Sequence, residues 1–137
     1  MSLTLLPIAK PFLLCDDVIG NPLTGKPHVV NLWDTVTVPA TALWPYVLPK
    51  LCLFAWLRDG LGSVRFQFEL VNLGTGKLAA RPWTQLVPLR HPLDSLYARF
   101  NLPNVRFSAP GWYSVEVYWN GEIADDQRFR VHQPQGA

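Results

Sequence analysis

Apolar side chains along this chain gather in short runs, many alternating with polar neighbours, and Gly, Pro and Asn fill the gaps. Almost no segment repeats its apolar positions with helical period. The pattern predicts strands. Eight are read: residues 10–18, 28–38, 50–59, 64–72, 77–89 and 94–108, then two in a closing hairpin across 111–131. In residues 64–72, Val64, Phe66, Phe68 and Leu70 alternate with Arg65, Gln67, Glu69 and Val71, so one face looks inward and the other mostly to water. Residues 50–59 are nearly all apolar, which predicts a central strand buried on both faces or covered by a neighbouring segment. Pro82 and Pro88 make 77–89 an edge or broken strand. In 94–108, Leu96, Ala98, Phe100 and Leu102 share one parity while Val105 and Phe107 take the other. A bulge near Pro103-Asn104 would reconcile them. Residues 20–26 carry turn signals, and residues 39–49, with three prolines, are expected to cross over with a helical turn at 40–43 that stops before Pro45.

The hairpin sets a register problem. A two-residue loop at Asn120-Gly121 would place Val115 opposite Asp126 and Tyr113 opposite Arg128. Charge would then face the core, and Ile123, Phe129 and Val131 would face water. A one-residue slip reverses a whole strand. A three-residue loop, Trp119-Asn120-Gly121, sets Val117 opposite Ile123 and turns Phe129 and Val131 inward. The expected turn is type I with Gly121 left-handed, closing a G1 bulge. Val115 then faces Asp125. Short strands at close spacing without helices predict an all-β, single-domain antiparallel β-sandwich of about eight strands, Ig-like or C2-like. The cysteine–tryptophan–cysteine pattern of antibody domains is not evident.

At 137 residues one domain is expected over 1–137, with its core at about 10–132 and a flexible tail at 133–137. Hydrophobic residues form 49% of the chain and charged residues only 16%, against about 25% in ordinary soluble domains. Part of that apolar surplus is expected to meet a partner. Twelve basic and ten acidic residues are interleaved, with no basic run, so neither nucleic acid nor a membrane surface is expected as a partner. Lys10 follows the first apolar run rather than preceding it, the wrong order for a secretory signal, and a cytoplasmic location is expected. Cys15 and Cys52 lie in apolar runs and are expected to be buried free thiols. A disulfide would need their strands side by side in an oxidising compartment.

Three stretches, Phe12 to Lys26 ("FLLCDDVIGNPLTGK"), Leu48 to Gly62 ("LPKLCLFAWLRDGLG") and Pro110 to Val131 ("PGWYSVEVYWNGEIADDQRFRV"), together resemble a family of small bacterial proteins of unknown function. Its members begin with an apolar strand ending in Cys-Asp-Asp or a similar triplet and close with a Pro-Gly-x-Tyr hairpin. Trp33-Asp34 stands where many relatives have a small glycine-containing segment. The resemblance implies a β-sandwich and carries over no activity.

Candidate chemistry is sparse. Asp16 and Asp17 are adjacent on a strand and point to opposite faces, so both cannot hold one ion unless the strand breaks. Turn capping is the simpler reading, and a metal or hydrolytic site would need Asp59 or Asp94 to join them. Asp125 and Asp126 likewise split between faces, with Arg128 on the side of Asp126 for an ion pair. His28, His91 and His132 are solitary. Ser63, Ser95, Ser108 and Ser114 lack a nucleophile-elbow frame. Residues 74–77, "GTGK", lack the length and helix of a phosphate loop. No catalytic residue, metal or cofactor is expected, and the chain is not expected to be an enzyme. The aromatic residues remain. Trp112 and Tyr118 lie on the parity opposite Val115 and Val117, Trp119 sits at the turn, and Trp44 and Tyr46 lie in the crossover. Either these five contact a partner or the crossover covers them. The expected function is a non-catalytic protein-interaction module, through a sheet face or edge and including self-association. The alternative is a carbohydrate or small-ligand binder using surface Trp and Tyr.

Overall fold

The computed structural model describes residues 8–9, 12–20, 25–90 and 95–135. They form two β-sheets and no helix, so none is long and apolar enough to cross a membrane. In chain order the strands are β1 (Ile8–Ala9), β2 (Leu13–Gly20), β3 (Pro27–Leu32), β4 (Thr35–Thr37), β5 (Tyr46–Arg58), β6 (Gly62–Asn72), β7 (Lys77–Leu78), β8 (Trp83–Leu89), β9 (Ser95–Phe107), β10 (Gly111–Trp119) and β11 (Glu122–His132). In the first sheet β9 lies beside β5. The other edge of β5 pairs with β1 and then β2, and β3 follows β2. The second sheet runs β4, β11, β10, β6, with β7 and β8 sharing the outer edge of β6.

The alternation read in residues 64–72 is what closes the sandwich. Val64, Phe66, Phe68 and Leu70 are buried against Leu51, Leu53, Ala55 and Leu57 of β5 and against Phe100 and Leu102 of β9 in one core cluster. Phe66 is central to one end of it, with ring centroids 4.9 Å from Phe100 and 6.2 Å from both Phe12 and Trp119. Truncating such a ring to alanine costs about 3–5 kcal/mol, the lost transfer energy plus the cavity left behind. At the other end Phe107, Tyr113 and Phe129 pack together, with Trp33 edge-on to Phe129 at 5.6 Å.

Several expectations are corrected. The segment at 28–38 is two strands, not one. β3 pairs with β2 in the first sheet, the chain crosses at Trp33-Asp34, and β4 pairs with β11 in the second. That last pair is parallel, so the sandwich is not wholly antiparallel, and the described strands number eleven rather than eight. The helical turn at 40–43 is a β-turn, closed by the Ala42 amide on the Pro39 carbonyl at 3.0 Å. β5 already begins at Tyr46, so Pro49 lies within a strand. The turn signals at 21–24, together with His91 and Asp94, lie outside the described residues. The segment 77–89 is both broken and at an edge.

The parity break in 94–108 is real but is not a one-sided bulge. Leu102 and Val105 are both buried, with Pro103 and Asn104 exposed between them. Across the ladder Leu48 and Leu51 flank exposed Pro49 and Lys50 at the same level, and the register is unchanged on either side. Both strands flip together, helped by Asn104 at φ 50°.

The hairpin needs its one-residue slip, but the extra residue is not in the turn. Trp119 pairs with Glu122 across Asn120-Gly121, whose φ values of 48° and 85° make a two-residue type I′ turn. The shift follows at Ala124. Tyr118 pairs with Ile123, and Val117 pairs with Asp125. Ile123 precedes the flip and is therefore 64% exposed, contrary to expectation, whereas Phe129 and Val131 follow it and are buried. Asp125, opposite Val117 rather than Val115, turns inward and accepts the Phe12 amide at 2.9 Å and Gln127 Nε2 at 3.0 Å. The inward carboxylate thus satisfies a backbone donor where the chain enters β2.

Candidate functional site

A strand whose odd positions fill the core must present its even positions elsewhere. In β5 the inward set is Leu51, Leu53, Ala55 and Leu57, so Phe54, Trp56 and Arg58 face outward, Phe54 half-buried and the other two exposed. In β9 the inward set is Ala98, Phe100 and Leu102, so Tyr97 and Arg99 face outward. The register places Phe54 opposite Arg99 and Trp56 opposite Tyr97. Tyr97 therefore packs between the two β5 aromatics, 5.5 Å from Trp56 and stacked 6.3 Å from Phe54. Trp56 is 44% exposed and Tyr97 41% exposed. The Arg58 guanidinium lies 5.8 Å above the Trp56 ring, a cation–π contact that keeps one arginine flat on the strip.

Among the described residues, the outward charges of β5 and β9 are basic. Lys50, Arg58, Arg99 and Arg106 project from β5 and β9, and the carboxylate beside them is Asp17 of β2. Asp17 is shared between Lys50 Nζ and Arg99 Nη1, each at 3.5 Å. The Val18 amide donates to its Oδ1 at 2.8 Å. That amide, then the two cations, hold the Asp17 carboxyl below the usual carboxylate range.

The five aromatics singled out from sequence divide. Trp112 is 56% exposed, and the crossover does not cover it. With Leu73, Gly74, Gly111 and Arg128 it lines an open, mainly apolar depression of about 650 Å³ on the second sheet. Tyr118, on the same strand and parity as Trp112, is half-buried, its hydroxyl donating to Glu116 Oε2 at 2.7 Å, a bond that pushes the phenol up to about 12. Trp119, Trp44 and Tyr46 instead pack against the core cluster. Trp119 meets Phe12 and Phe66. Trp44 Nε1 donates to Gln133 Oε1 at 2.9 Å, and Gln133 Nε2 in turn donates to the Pro39 and Ala42 carbonyls, tying the crossover to the end of β11. Tyr46 lines a small cleft with Asp16, Trp33 and Lys50.

The carboxylates do not converge. Asp16 accepts Asn31 Nδ2 at 3.0 Å. Asp59 lies past the far end of β5 from Lys50, the residue that holds Asp17. Asp126 pairs with Arg128 at 3.6 Å on the outer face. Among the described residues no group of three or more His, Cys, Asp or Glu side chains is placed to share a metal ion. Trp56, Tyr97 and Phe54 were missed in the sequence because residues 50–59 read as apolar on both faces. The signal was present in Tyr97, which falls on the parity opposite Leu96 and Ala98.

A family model described as a family of unknown function (DUF6941) matches residues 10–132. The chain belongs to the DUF6941 family. No curated protein matches the sequence. Among solved structures, this DUF6941 chain is similar to the Pseudomonas fluorescens alkylpurine DNA glycosylase AlkC, determined bound to DNA containing an abasic site analog. The TM-score is 0.57 at 12% identity, covering 92% of this chain and 30% of that one. At that identity the likeness is one of fold. The DUF6941 chain spans less than a third of the glycosylase's length.

Proposed function

We propose that this chain is a non-catalytic interaction module, an Ig-like sandwich that docks an acidic protein surface on the outer face of β5 and β9. The observation that carries the reading is the outward Phe54–Trp56–Tyr97 strip, with Trp56 and Tyr97 exposed and Phe54 half-buried, flanked by Arg58 and Arg99. Aromatic residues and arginine are the side chains enriched at the centres of protein interfaces. Here they stand on two long paired strands, so little freedom remains to be lost on binding. Among the described residues the outward charges of β5 and β9 are basic, which favours a partner of opposite sign. The Ig-like assignment is supported by the parallel β4–β11 pair and by buried Tyr113, whose hydroxyl donates back to the Ala109 carbonyl at 2.7 Å in the manner of a tyrosine corner.

The test compares proteins co-purified by wild type, by a Trp56→Ser/Tyr97→Ser variant and by Trp112→Ser, each first checked for an unchanged melting temperature. The reading expects a partner kept by wild type and Trp112→Ser and lost by the double variant. Equal recovery by all three overturns it. Light scattering across concentrations identifies the case in which the partner is a second copy. Fluorescence anisotropy with single-stranded and duplex DNA identifies the competing occupant. DNA binding abolished by the double variant would replace the protein partner with nucleic acid. A second reading, a small apolar or carbohydrate ligand, is favoured by the depression beside Trp112. A sugar panel that quenches wild-type tryptophan fluorescence but not that of Trp112→Ser would support it.

A further inference from the structure

Cys15 and Cys52 are directly opposed register partners on the antiparallel strands β2 and β5. Their sulfurs are 3.6 Å apart, and both are free thiols. They occupy the outward parity, between Asp17 and Leu13 on one strand and between Lys50 and Phe54 on the other. Outward residues of a sheet face normally meet water, yet Cys15 is 1% exposed and Cys52 0%.

The cover comes from the ion cluster. Arg99 stands opposite Phe54 on β9, but its guanidinium reaches Asp17 Oδ1 at 3.5 Å and the Val18 carbonyl at 3.2 Å on β2. To span from the level of Phe54 to that of Asp17, its side chain passes the level of the two thiols. Lys50 reaches the same carboxylate from β5. Beneath this cover burial pushes the Cys15 thiol up to about 12, with Cys52, Asp16 and Asp17 adding to it. Burial also raises Cys52, while Lys50 and Arg99 act to lower it.

We propose that Cys15 and Cys52 are a reversible dithiol–disulfide pair, oxidised by low-molecular-weight disulfides of the glutathione type when the Asp17–Arg99–Lys50 cover opens. The Cys52 thiolate, the one facing both cations, attacks the small disulfide. The S–S bond of the reagent breaks, a mixed disulfide forms on Cys52, and one small thiol leaves with the proton. Cys15 then attacks the Cys52 sulfur and expels the second small thiol, which takes the second proton. Two electrons pass from the protein thiols to the reagent. Closing the pair brings the sulfurs to about 2 Å. Opposed residues of paired strands hold their Cβ atoms about 4.5–5.5 Å apart, whereas a relaxed disulfide holds them near 3.8 Å. The same opening that admits the oxidant admits a reducing thiol, so the pair can be returned to two free thiols.

The test incubates the native full chain with millimolar oxidised glutathione, unfolds it, alkylates free thiols and measures intact mass and linked peptides. Wild type is expected to lose two hydrogens, to yield a Cys15–Cys52 linked peptide and to revert with dithiothreitol. Cys15→Ser is expected to stop at a mixed disulfide. Asp17→Asn removes the carboxylate that raises both thiols and frees Arg99 and Lys50 from their shared partner, so oxidation should run severalfold faster when both proteins are compared well below their melting temperatures. Asparagine still accepts the Val18 amide, which keeps the local backbone in place. Two free thiols in both native proteins, or only mixed disulfides and intermolecular dimers from wild type, would overturn the proposal. An unaltered rate in Asp17→Asn would remove the role of the cover.

Discussion

Asp125→Ala is the substitution that tests the hairpin most sharply, because its neighbour Asp126 serves as a control one residue away. Asp125 faces inward and accepts three donors: the Phe12 amide at 2.9 Å, Gln127 Nε2 at 3.0 Å and the Asp126 amide at 2.8 Å. The bond to Phe12 joins the start of β2 in one sheet to β11 in the other and positions a ring that lies within 6.5 Å of Phe66, Phe100 and Trp119. Alanine leaves the part-buried Phe12 amide without that acceptor. A hydrogen bond to a charged group contributes about 1.5–3 kcal/mol. In a domain of this length that is about 5–10 °C of melting temperature. Asp126, 48% exposed in its pair with Arg128, should cost less than about 0.5 kcal/mol when changed to alanine. Urea denaturation with unchanged m-value is the assay. Equal, small losses for both aspartates would refute the inward carboxylate and the register shift at Ala124 that turns it there.

Gly121→Val forces a β-branched side chain to φ 85° in a turn that Asn120 also ties to the Arg65 backbone; it should destabilise by about 1–2 kcal/mol in the same assay. Tyr118 should ionise near pH 12 by ultraviolet titration, and Glu116→Gln should bring it back toward the ordinary tyrosine range. Because the folded-state value is raised, this contribution is fully present below the usual tyrosine pKa and is lost as pH rises through about 12. Asp17 has the opposite sign. Its depressed folded-state value gives stability that is present above the ordinary carboxylate pKa and lost as pH falls through the lower folded one. A plot of melting temperature against acid pH should therefore be flatter for Asp17→Asn than for wild type.

Parity carried most of what could be read without coordinates. Val64 to Leu70, Ala98 to Leu102, Phe129 and Val131 all face the side their alternation assigned. Parity reports inside against outside, and it is silent on which sheet a strand joins. Val30, Leu32, Val36 and Val38 share one parity that only Asp34 interrupts, so β3 and β4 read as one strand although they lie in different sheets. The hairpin shows a related limit. A one-residue slip is demanded by Phe129 and Val131, but an extra residue in the turn and one at Ala124 satisfy them equally, and only Ile123 distinguishes the two. The aromatic face was hidden by the apolar run of β5. Phe54 and Trp56 look like core when read alone, and they become surface once Tyr97 is paired with Trp56. Trp44, Tyr46 and Trp119 lie near strand ends, where a partly buried aromatic ring closes the margin of the core.

The most direct measurement of the docking claim is photocrosslinking in cells with a benzophenone amino acid placed at position 97 or at position 112. The account predicts a discrete protein adduct from position 97 that vanishes when Arg58 is also changed to glutamate, and none from position 112. An adduct from position 112 with none from position 97 would contradict it.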